Sequence, residues 1–391
     1  MSRKFSILIL IVFLASMALS ACGGQQASVD SGPIKIGLQG PMTGDYAYEG
    51  AGFKNAVQML VDQTNEKGGI LGRKVELVIE DDAGDPTQSA LVAQRLVDAK
   101  VAAVIGAYNS TATEPASEIY NEAGLLHITP SSTAVGLTQK GFQRFFRVCF
   151  LDDRQGLFAA KFMKEVLGTQ NIGILHDNST YAQGLAEETR HYAEENGLNV
   201  AFYDAINPDD QDFTPILTKI ANNSPKLDAV YFTGYHSQAG LLLKQSADLG
   251  LDVQWVTGNA SNNPVMVQIA GANNAKGTYI TTEPLPKDLN YPEAQQFVAD
   301  YKARYGEEPA SVWTIMAGEA YNVIRYAMEQ TKSTDSETLA NYLHNDLKNM
   351  NGLTGPIIGF DEKGDRLGTI HVAYVIDDQG NFVLNPKQPS K

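Results

Sequence analysis

Short apolar stretches alternate with longer amphipathic ones along most of the chain, and this alternation most constrains the fold. The short stretches predict strands, and the longer ones carry apolar residues at helical spacing. Strands are predicted at residues 34–39, 75–80, 101–106 and 125–129, and again at 171–176, 200–205, 227–233 and 254–257. Two consecutive blocks of this kind in a chain of 391 residues predict an α/β protein of two doubly wound lobes with parallel sheets.

The last quarter of the chain departs from this alternation. Helical patterns at 291–305, 313–331 and 336–347 precede a predicted β-hairpin, with strands at 371–376 and 382–384 around the turn DDQG. A hinged protein whose chain crosses between its lobes more than once would end in this way. We predict crossings near Leu151, Thr281 and Phe360.

Two polar loops follow neighbouring strands of the first block, AYNSTATEPAS at 107–117 and PSST at 130–133. Open α/β sheets bind their ligands at the carboxyl ends of the strands. Hydroxyl and backbone N–H groups there could converge on a small anion such as a carboxylate, and they come from Asn109, Ser110, Thr111, Ser131, Ser132 and Thr133. The alternative is helix capping without a ligand, with a helix that begins near Thr113.

The amino-terminal residues have the pattern of a bacterial secretory leader. Arg3 and Lys4 precede an apolar stretch at 5–14 that is short for a membrane span, and Leu19 to Cys22 resemble a lipobox. That resemblance implies cleavage after residue 21, lipidation of Cys22 and a tether at 22–33 that holds the domain at the periplasmic or outer face of a bacterial membrane. The alternative is an ordinary secretory peptide with a chance cysteine.

Charge and motif content exclude several classes of protein. The net charge of -15 argues against nucleic acid as a partner and against membrane contact other than through the lipid. The sequence contains no GxSxG, HExxH, CxxC or phosphate-loop motif, so we expect no enzyme, cofactor or metal.

Several reactive side chains have a structural explanation. Cys149 lies in an apolar run and is predicted to be buried. His176 and His236 follow predicted strands and could line a pocket, but histidines with satisfied hydrogen bonds are the preferred interpretation. The acidic residues of DDAGD at 81–85 could bind a cation, but capping of the following helix is the simpler interpretation.

Seven segments in order resemble the leucine/isoleucine/valine-binding proteins of ABC transporters. They are IKIGLQGPMTG, NEKGGILGRKVELVIEDDAGDP, VIGAYNSTATEPASEIY, LTQKGFQRFFR, HDNSTYAQGLAE, DFTPILTKI and AVYFTGYHSQAGLLLKQSADLGL. The resemblance extends from about Ile34 to Phe360. It implies a type I periplasmic binding protein, in which two Rossmann-like lobes joined by a three-stranded hinge close over a small-molecule ligand and dock on a permease with its ATPase.

The resemblance also implies lobe limits and ligand-binding residues. The N-terminal lobe would comprise 34–150 plus 281–360, the C-terminal lobe 151–280 plus 361–391, and the protein would be a monomer. Ser110 and Thr133 match the positions that hold the ligand carboxylate, and Tyr181 and Tyr235 match two tyrosines that close over the ligand. Neighbouring candidates are Tyr108, Asn109, Ser131 and Ser132.

Three positions depart from the family pattern and make the expected pocket more polar. Asn259 stands where the family has a glutamate for the ligand ammonium, Glu49 where it has an aromatic side chain, and Ser311 where it has an apolar one. If Glu49 faces the pocket, it could replace the missing anion, and the ligand would be an amino acid. If Glu49 faces solvent, the ligand could be a carboxylate or amide without an amino group.

Overall fold

The computed structural model describes residues 32–309 and 311–390; the predicted leader and Cys22 lie outside them. In this part of the chain twelve strands form two sheets. The first sheet has the order β2-β1-β3-β4-β5 with parallel neighbours throughout. Its strands are β1 (Ile34–Gly40), β2 (Val75–Asp81), β3 (Ala103–Ile105), β4 (Leu126–Thr129) and β5 (Phe145–Arg147).

Helices follow the strands of the first sheet as the alternation predicts. They are α1 (Ala47–Glu66), α2 (Pro86–Asp98), α3 (Ser110–Glu122) and α4 (Gly136–Gln139). The Asp85 side chain accepts a hydrogen bond from the N–H of Gln88 and caps α2, as predicted. The expected start of α3 at Thr113 is wrong, because the Asn109 side chain caps the helix by accepting from Ala112.

The second sheet has the order β7-β6-β8-β9-β10-β11-β12. Its parallel part contains β6 (Asn171–His176), β7 (Asn199–Ala205), β8 (Ala229–Phe232), β9 (Gln254–Thr257) and β10 (Tyr279–Thr282), and β11 (Val372–Ile376) and β12 (Phe382–Leu384) add the predicted antiparallel hairpin. Its helices are α5 (Asp152–Lys161), which continues as a π-helical turn at Phe162–Val166, α6 (Thr180–Glu195), α7 (Thr214–Ala221), α8 (His236–Asp248), α9 (Pro264–Ala270) and α10 (Ala272–Ala275). Short 3-10 turns lie at Asn259–Ser261 and Pro286–Asp288.

The tail helices return to the first lobe. They are α11 (Pro292–Tyr305), α12 (Val312–Thr331) and α13 (Ser336–Asn345). The Tyr321 hydroxyl on α12 donates to Thr64 Oγ1 on α1 over 2.9 Å, and Tyr305 on α11 donates to the carbonyl of Asn55 over 2.8 Å. The chain therefore passes from β10 of the second sheet to helices on the first and then back to β11. The precise limits of the lobes stay a prediction.

Both sheets have apolar interiors that fix the positions of their strand ends. Ile36, Leu38 and Ile105 of the first sheet and Ile174 and Val256 of the second are fully buried. The prediction of two lobes with mostly parallel sheets is confirmed. The sequence analysis did not predict the short strands β5 and β10. No helix among residues 32–309 and 311–390 is both long and apolar enough for a membrane span.

Candidate functional site

A small cavity lies between the carboxyl ends of the two parallel sheets. It holds about 200 Å³ of space between the surrounding atoms. The lining residues follow β3, β4, β6, β8 and β9 or begin α12, and they are Tyr108, Ser110, Ser131, Tyr181, Tyr235, Asn259, Ala260 and Trp313. Both sheets place their strands in the 2-1-3-4-5 order of doubly wound folds, whose ligands bind at this edge.

The wall from the first lobe offers hydroxyl groups to the cavity. Ser110 Oγ accepts a hydrogen bond from the N–H of Ala134 at 3.3 Å, and Ser131 Oγ donates to the carbonyl of Tyr108 at 2.7 Å. The buried hydroxyl of Tyr108 has no hydrogen-bond partner within the described residues, whereas that of Thr133 lies close to the Asp152 carboxyl group. Buried hydroxyls without partners are costly, so this wall can gain hydrogen bonds from an anionic ligand.

A buried arginine holds the second loop of this wall in place. The Arg147 guanidinium donates to the carbonyls of Ser132 and Ala134 over 2.9 and 3.1 Å. It also forms an ion pair of 2.5 Å with Asp365 and is fully buried. Because Arg147 binds the loop from behind, the shape of residues 132–134 depends on this one cation.

The wall from the second lobe is a tyrosine and amide surface. The Tyr181 hydroxyl donates to Asn259 Oδ1 over 2.9 Å. The Tyr235 ring lies 5.4 Å from the Tyr181 ring, 6.2 Å from that of Tyr108 and 4.8 Å from that of Tyr46, measured between centroids. Burial raises the pKa of Tyr181 and Tyr235 well above the usual value, so both stay neutral hydrogen-bond donors.

Glu49 points inward and joins the two lobes. Its Oε1 accepts a hydrogen bond of 2.7 Å from Asn263 Nδ2, and its Oε2 accepts one of 2.6 Å from Ser311 Oγ. Burial raises the pKa of Glu49 to about 7, and the two hydrogen bonds act in the opposite direction. The alternative with Glu49 in solvent is wrong, because the side chain is 1% exposed. Its carboxylate is held by Asn263 and Ser311 and does not line the cavity.

Three other candidates lie behind the cavity wall. Asn109 caps α3 and donates to the carbonyl of Gly84 over 2.9 Å, and Ser132 Oγ pairs with Thr113 Oγ1 at 2.6 Å. Thr133 is buried beside Asp152, whose backbone N–H donates to the Thr133 carbonyl over 3.1 Å. The capping interpretation therefore describes Asn109, whereas Ser110 and Ser131 reach the cavity.

The sequence analysis did not identify four residues that lie around the site. Trp313 lines the cavity, Tyr46 packs on Tyr235, and Asp152 and Glu283 are fully buried carboxyl groups. Glu283 Oε2 accepts from Asn259 Nδ2 at 3.4 Å. A strand prediction at 279–282 would have placed Glu283 at the ligand-binding edge.

The remaining reactive side chains lie elsewhere. Cys149 is buried as predicted, and burial raises the pKa of its thiol. His176 Nδ1 accepts from the N–H of Asn178 at 3.2 Å, and His236 packs against Tyr46; neither lines the cavity. Throughout the described ranges no group of three or more His, Cys, Asp or Glu side chains could hold a metal ion.

A larger groove, with about 1220 Å³ of space between the surrounding atoms and partly open to solvent, lies on the first lobe between α1, α11 and α12. Its polar side chains pair with each other: Gln63 donates to Asp300 over 2.9 Å, and Arg325 pairs with Glu329 at 3.0 Å. It lies away from the strand ends that form the cavity. The cavity between the sheets is therefore the better candidate for the ligand site.

The sequence pattern of the family described as Periplasmic binding protein matches residues 33–380. The chain belongs to this family, which is one of solute-binding proteins. Its sheets are those of the type I periplasmic binding fold. The leucine-binding protein LivK of Thermotoga maritima superposes with a TM-score of 0.82 at 32% identity, over 90% of this chain and 99% of that one.

Relatives with described ligands cover nearly the same length. The leucine-, isoleucine-, valine-, threonine- and alanine-binding protein of Pseudomonas aeruginosa is 35% identical over 352 residues, which are 90% of this chain and 91% of that protein. The Leu/Ile/Val-binding protein of Escherichia coli is 34% identical over 337 residues, 86% of this chain and 88% of that protein. The resemblance seen in the sequence is therefore confirmed.

Proposed function

We propose that the protein captures a small amino acid, with a branched-chain or more polar side chain, by closure of its two lobes. It then delivers the amino acid to an ABC permease and its ATPase. The observation that carries this proposal is the cavity between the strand ends, with hydroxyls from Ser110 and Ser131 on one side and Tyr181, Tyr235 and Asn259 on the other. The relatives named above bind amino acids and support the same ligand class.

In this proposal the first lobe binds the ligand carboxylate. Ser110, whose Oγ only accepts from Ala134 within the protein, and the unpartnered hydroxyl of Tyr108 supply hydrogen-bond donors at the cavity. Tyr181 and Tyr235 cover the ligand from the second lobe. Contacts such as Thr180 N–H to Thr111 Oγ1, at 3.2 Å, hold the lobes together after closure.

The proposed location is the periplasm or the outer cell surface, with the lipid on Cys22 as the anchor to a bacterial membrane. A net charge of -15 keeps the folded domain away from anionic headgroups, so the lipid supplies the attachment. Mass spectrometry of the amino terminus tests this part, and we expect a mature chain that begins at Cys22 and carries lipid on this residue. A mature chain that begins elsewhere or carries no lipid would show that the anchor assignment is wrong.

A thermal-shift screen of residues 32–391 tests the ligand class. Amino acids, amides and aliphatic or aromatic carboxylates are the probes, and a ligand that binds the folded state raises the melting temperature as RT ln(1 + [L]/Kd). We expect the largest shift with an aliphatic or small polar amino acid and a smaller one in Ser110→Ala. Shifts with carboxylates or amides alone would overturn the amino-acid proposal and favour a ligand without an amino group.

A further inference from the structure

A chain of buried hydrogen bonds leads from the cavity wall to Glu283. Tyr181 donates to Asn259 Oδ1 over 2.9 Å, and Asn259 Nδ2 donates to Glu283 Oε2 over 3.4 Å. Asn259 lines the cavity, whereas Glu283 lies directly behind it and is fully buried. The oxygen of the Asn259 side-chain amide therefore accepts from Tyr181, and its nitrogen donates to the Glu283 carboxyl group.

Glu283 has no close cation of its own. His371 Nε2 lies 3.8 Å from Glu283 Oε1, but burial lowers the pKa of His371 to about 3, so the ring is neutral near pH 7. The guanidinium of the nearby Arg366 donates its hydrogen bonds to the carbonyls of Val148 and Gly355 and to Thr354 Oγ1. Glu283 Oε1 has no hydrogen-bond partner in the described part of the chain. Its Oε2 accepts only the long bonds from Asn259 and Thr282, at 3.4 and 3.5 Å, and a buried carboxylate so weakly paired is costly unless a cation approaches it.

We propose that Glu283 is the positioning residue that supplies the negative charge for the ligand's ammonium group, acting through Asn259. The proposal rests on the amino-acid function proposed above. An amide oxygen accepts two hydrogen bonds, so Asn259 Oδ1 accepts one from the ammonium besides that from Tyr181. Its Nδ2 donates to Glu283, which polarises the amide and makes the oxygen a stronger acceptor.

The alternative anion, Glu49, is already engaged. Both of its carboxylate oxygens accept short hydrogen bonds, from Asn263 and Ser311. Glu283 in contrast directly follows β10, where the chain leaves the second sheet. A cation bound at Asn259 would therefore act on a residue at a crossing between the lobes.

If the ligand ammonium group favours the ionised form of Glu283, ligand binding changes the number of protons that the protein holds. Burial raises the pKa of Glu283 to about 7, and its hydrogen bonds and the attraction of Arg366 act in the opposite direction. An ammonium group at Asn259 favours the ionised carboxylate, so binding near pH 7 releases a proton. The titratable groups that act electrostatically on Glu283 or are affected by it are Cys149, Asp152, Tyr231, Arg366 and His371.

Calorimetry with leucine and 4-methylpentanoate, which is leucine without its amino group, tests the proposal. Titrations near pH 7 in buffers of different ionisation enthalpy count the protons exchanged. We expect the wild-type protein to release more protons with leucine than with 4-methylpentanoate. Because closure is common to both ligands, the difference isolates the ammonium contribution, and equal proton counts would overturn the proposal.

Glu283→Gln gives the second measurement. We expect leucine affinity to fall about tenfold, with 4-methylpentanoate affinity within about twofold of wild type, since the glutamine amide cannot supply the negative charge that strengthens the bond to the ammonium group. Glu319→Gln is the matched control, because Glu319 is also fully buried but accepts from Thr354 in the first lobe, over 2.8 and 2.9 Å. The control should keep both affinities and the proton count.

A rescue variant separates charge from structure. Adding Asn259→Glu to Glu283→Gln moves the carboxylate to the cavity wall, and we expect this to restore leucine affinity. Equal weakening of both ligands by Glu283→Gln, without rescue, would show a structural role and overturn the assignment. If the wild-type protein binds 4-methylpentanoate but no amino acid, the proposed function itself fails, and this assignment fails with it.

Discussion

Glu49 Oε1 accepts a 2.7 Å hydrogen bond from Asn263 Nδ2, although the two residues are 214 positions apart in the sequence. Glu49 lies on α1 beside the first sheet, and Asn263 caps α9 beside the second. The bond therefore crosses the cleft and exists only while the lobes are together. Ser311 binds the other carboxylate oxygen from the first lobe at 2.6 Å.

This contact predicts a pH-dependent contribution to ligand affinity. Closure raises the pKa of Glu49 to about 7 by burial, while opening returns the carboxyl to water and its pKa towards the ordinary 4.5. The closed state then binds more protons between these values, so affinity falls as pH rises. From pH 6 to 8 the wild-type Kd should increase about tenfold relative to that of Glu49→Gln. Calorimetry at both pH values measures it, with the exposed Glu362→Gln as control; a constant ratio would contradict the prediction.

Removing the Tyr181 hydroxyl should weaken ligand binding with little effect on the fold. Tyr181→Phe deletes the 2.9 Å hydrogen bond to Asn259 Oδ1, at a cost of about 1 kcal/mol, or roughly fivefold in Kd. Tyr321→Phe is the control, because it deletes a buried bond of the same length far from the cavity. Titration calorimetry should measure wild-type ligand affinity for Tyr321→Phe and a lower affinity for Tyr181→Phe. Equal affinities in the two variants would remove Tyr181 from the site.

Asp152 predicts a loss of stability as pH rises. Its carboxyl group is fully buried, and burial raises its pKa to about 8 while the neighbouring Thr133 hydroxyl and the positive charge of Arg147 act in the opposite direction. Between the ordinary pKa of 3.8 and about 8 the folded state holds a proton that the unfolded chain releases, so its contribution to the unfolding free energy decreases with pH.

Asp152→Asn should therefore stabilise the protein more at pH 8 than at pH 5. Melting temperatures at the two pH values measure the difference, and the neighbouring Asp153→Asn, with a side chain 28% exposed, serves as control. A stabilisation that is the same at both pH values would show that Asp152 does not carry this effect.

Arg147→Met should destabilise the protein strongly and weaken ligand binding. The substitution leaves the buried Asp365 without its 2.5 Å ion pair and removes the donors for the Ser132 and Ala134 carbonyls. We expect a loss of about 3–5 kcal/mol in the free energy of unfolding, measured by urea denaturation. Lys226→Met breaks an exposed pair, with side chains 73% and 92% exposed, and should leave the free energy of unfolding almost unchanged because solvent screens such a pair. Similar losses in both variants would contradict the prediction.

The sequence carried enough information to place much of the cavity wall. Ser110 and Ser131 line it and follow strands whose apolar pattern was visible, and Tyr181, Tyr235 and Asn259, which were expected from the resemblance to the family, line it as well. Carboxyl ends of parallel strands meet at one edge, so strand positions predict which loops converge. Their roles toward the ligand remain the proposal tested above.

By itself the sequence determined the alternation of strands and helices, the two parallel sheets and the family, since these depend on local apolar patterns and on segments in order. Only the tertiary structure decided that Glu49 meets Asn263 and Ser311, that Trp313 reaches the cavity and that Glu283 lies behind Asn259. Such contacts join distant parts of the chain. Their pKa shifts and hydrogen bonds arise from burial and packing, which no local pattern of residues encodes.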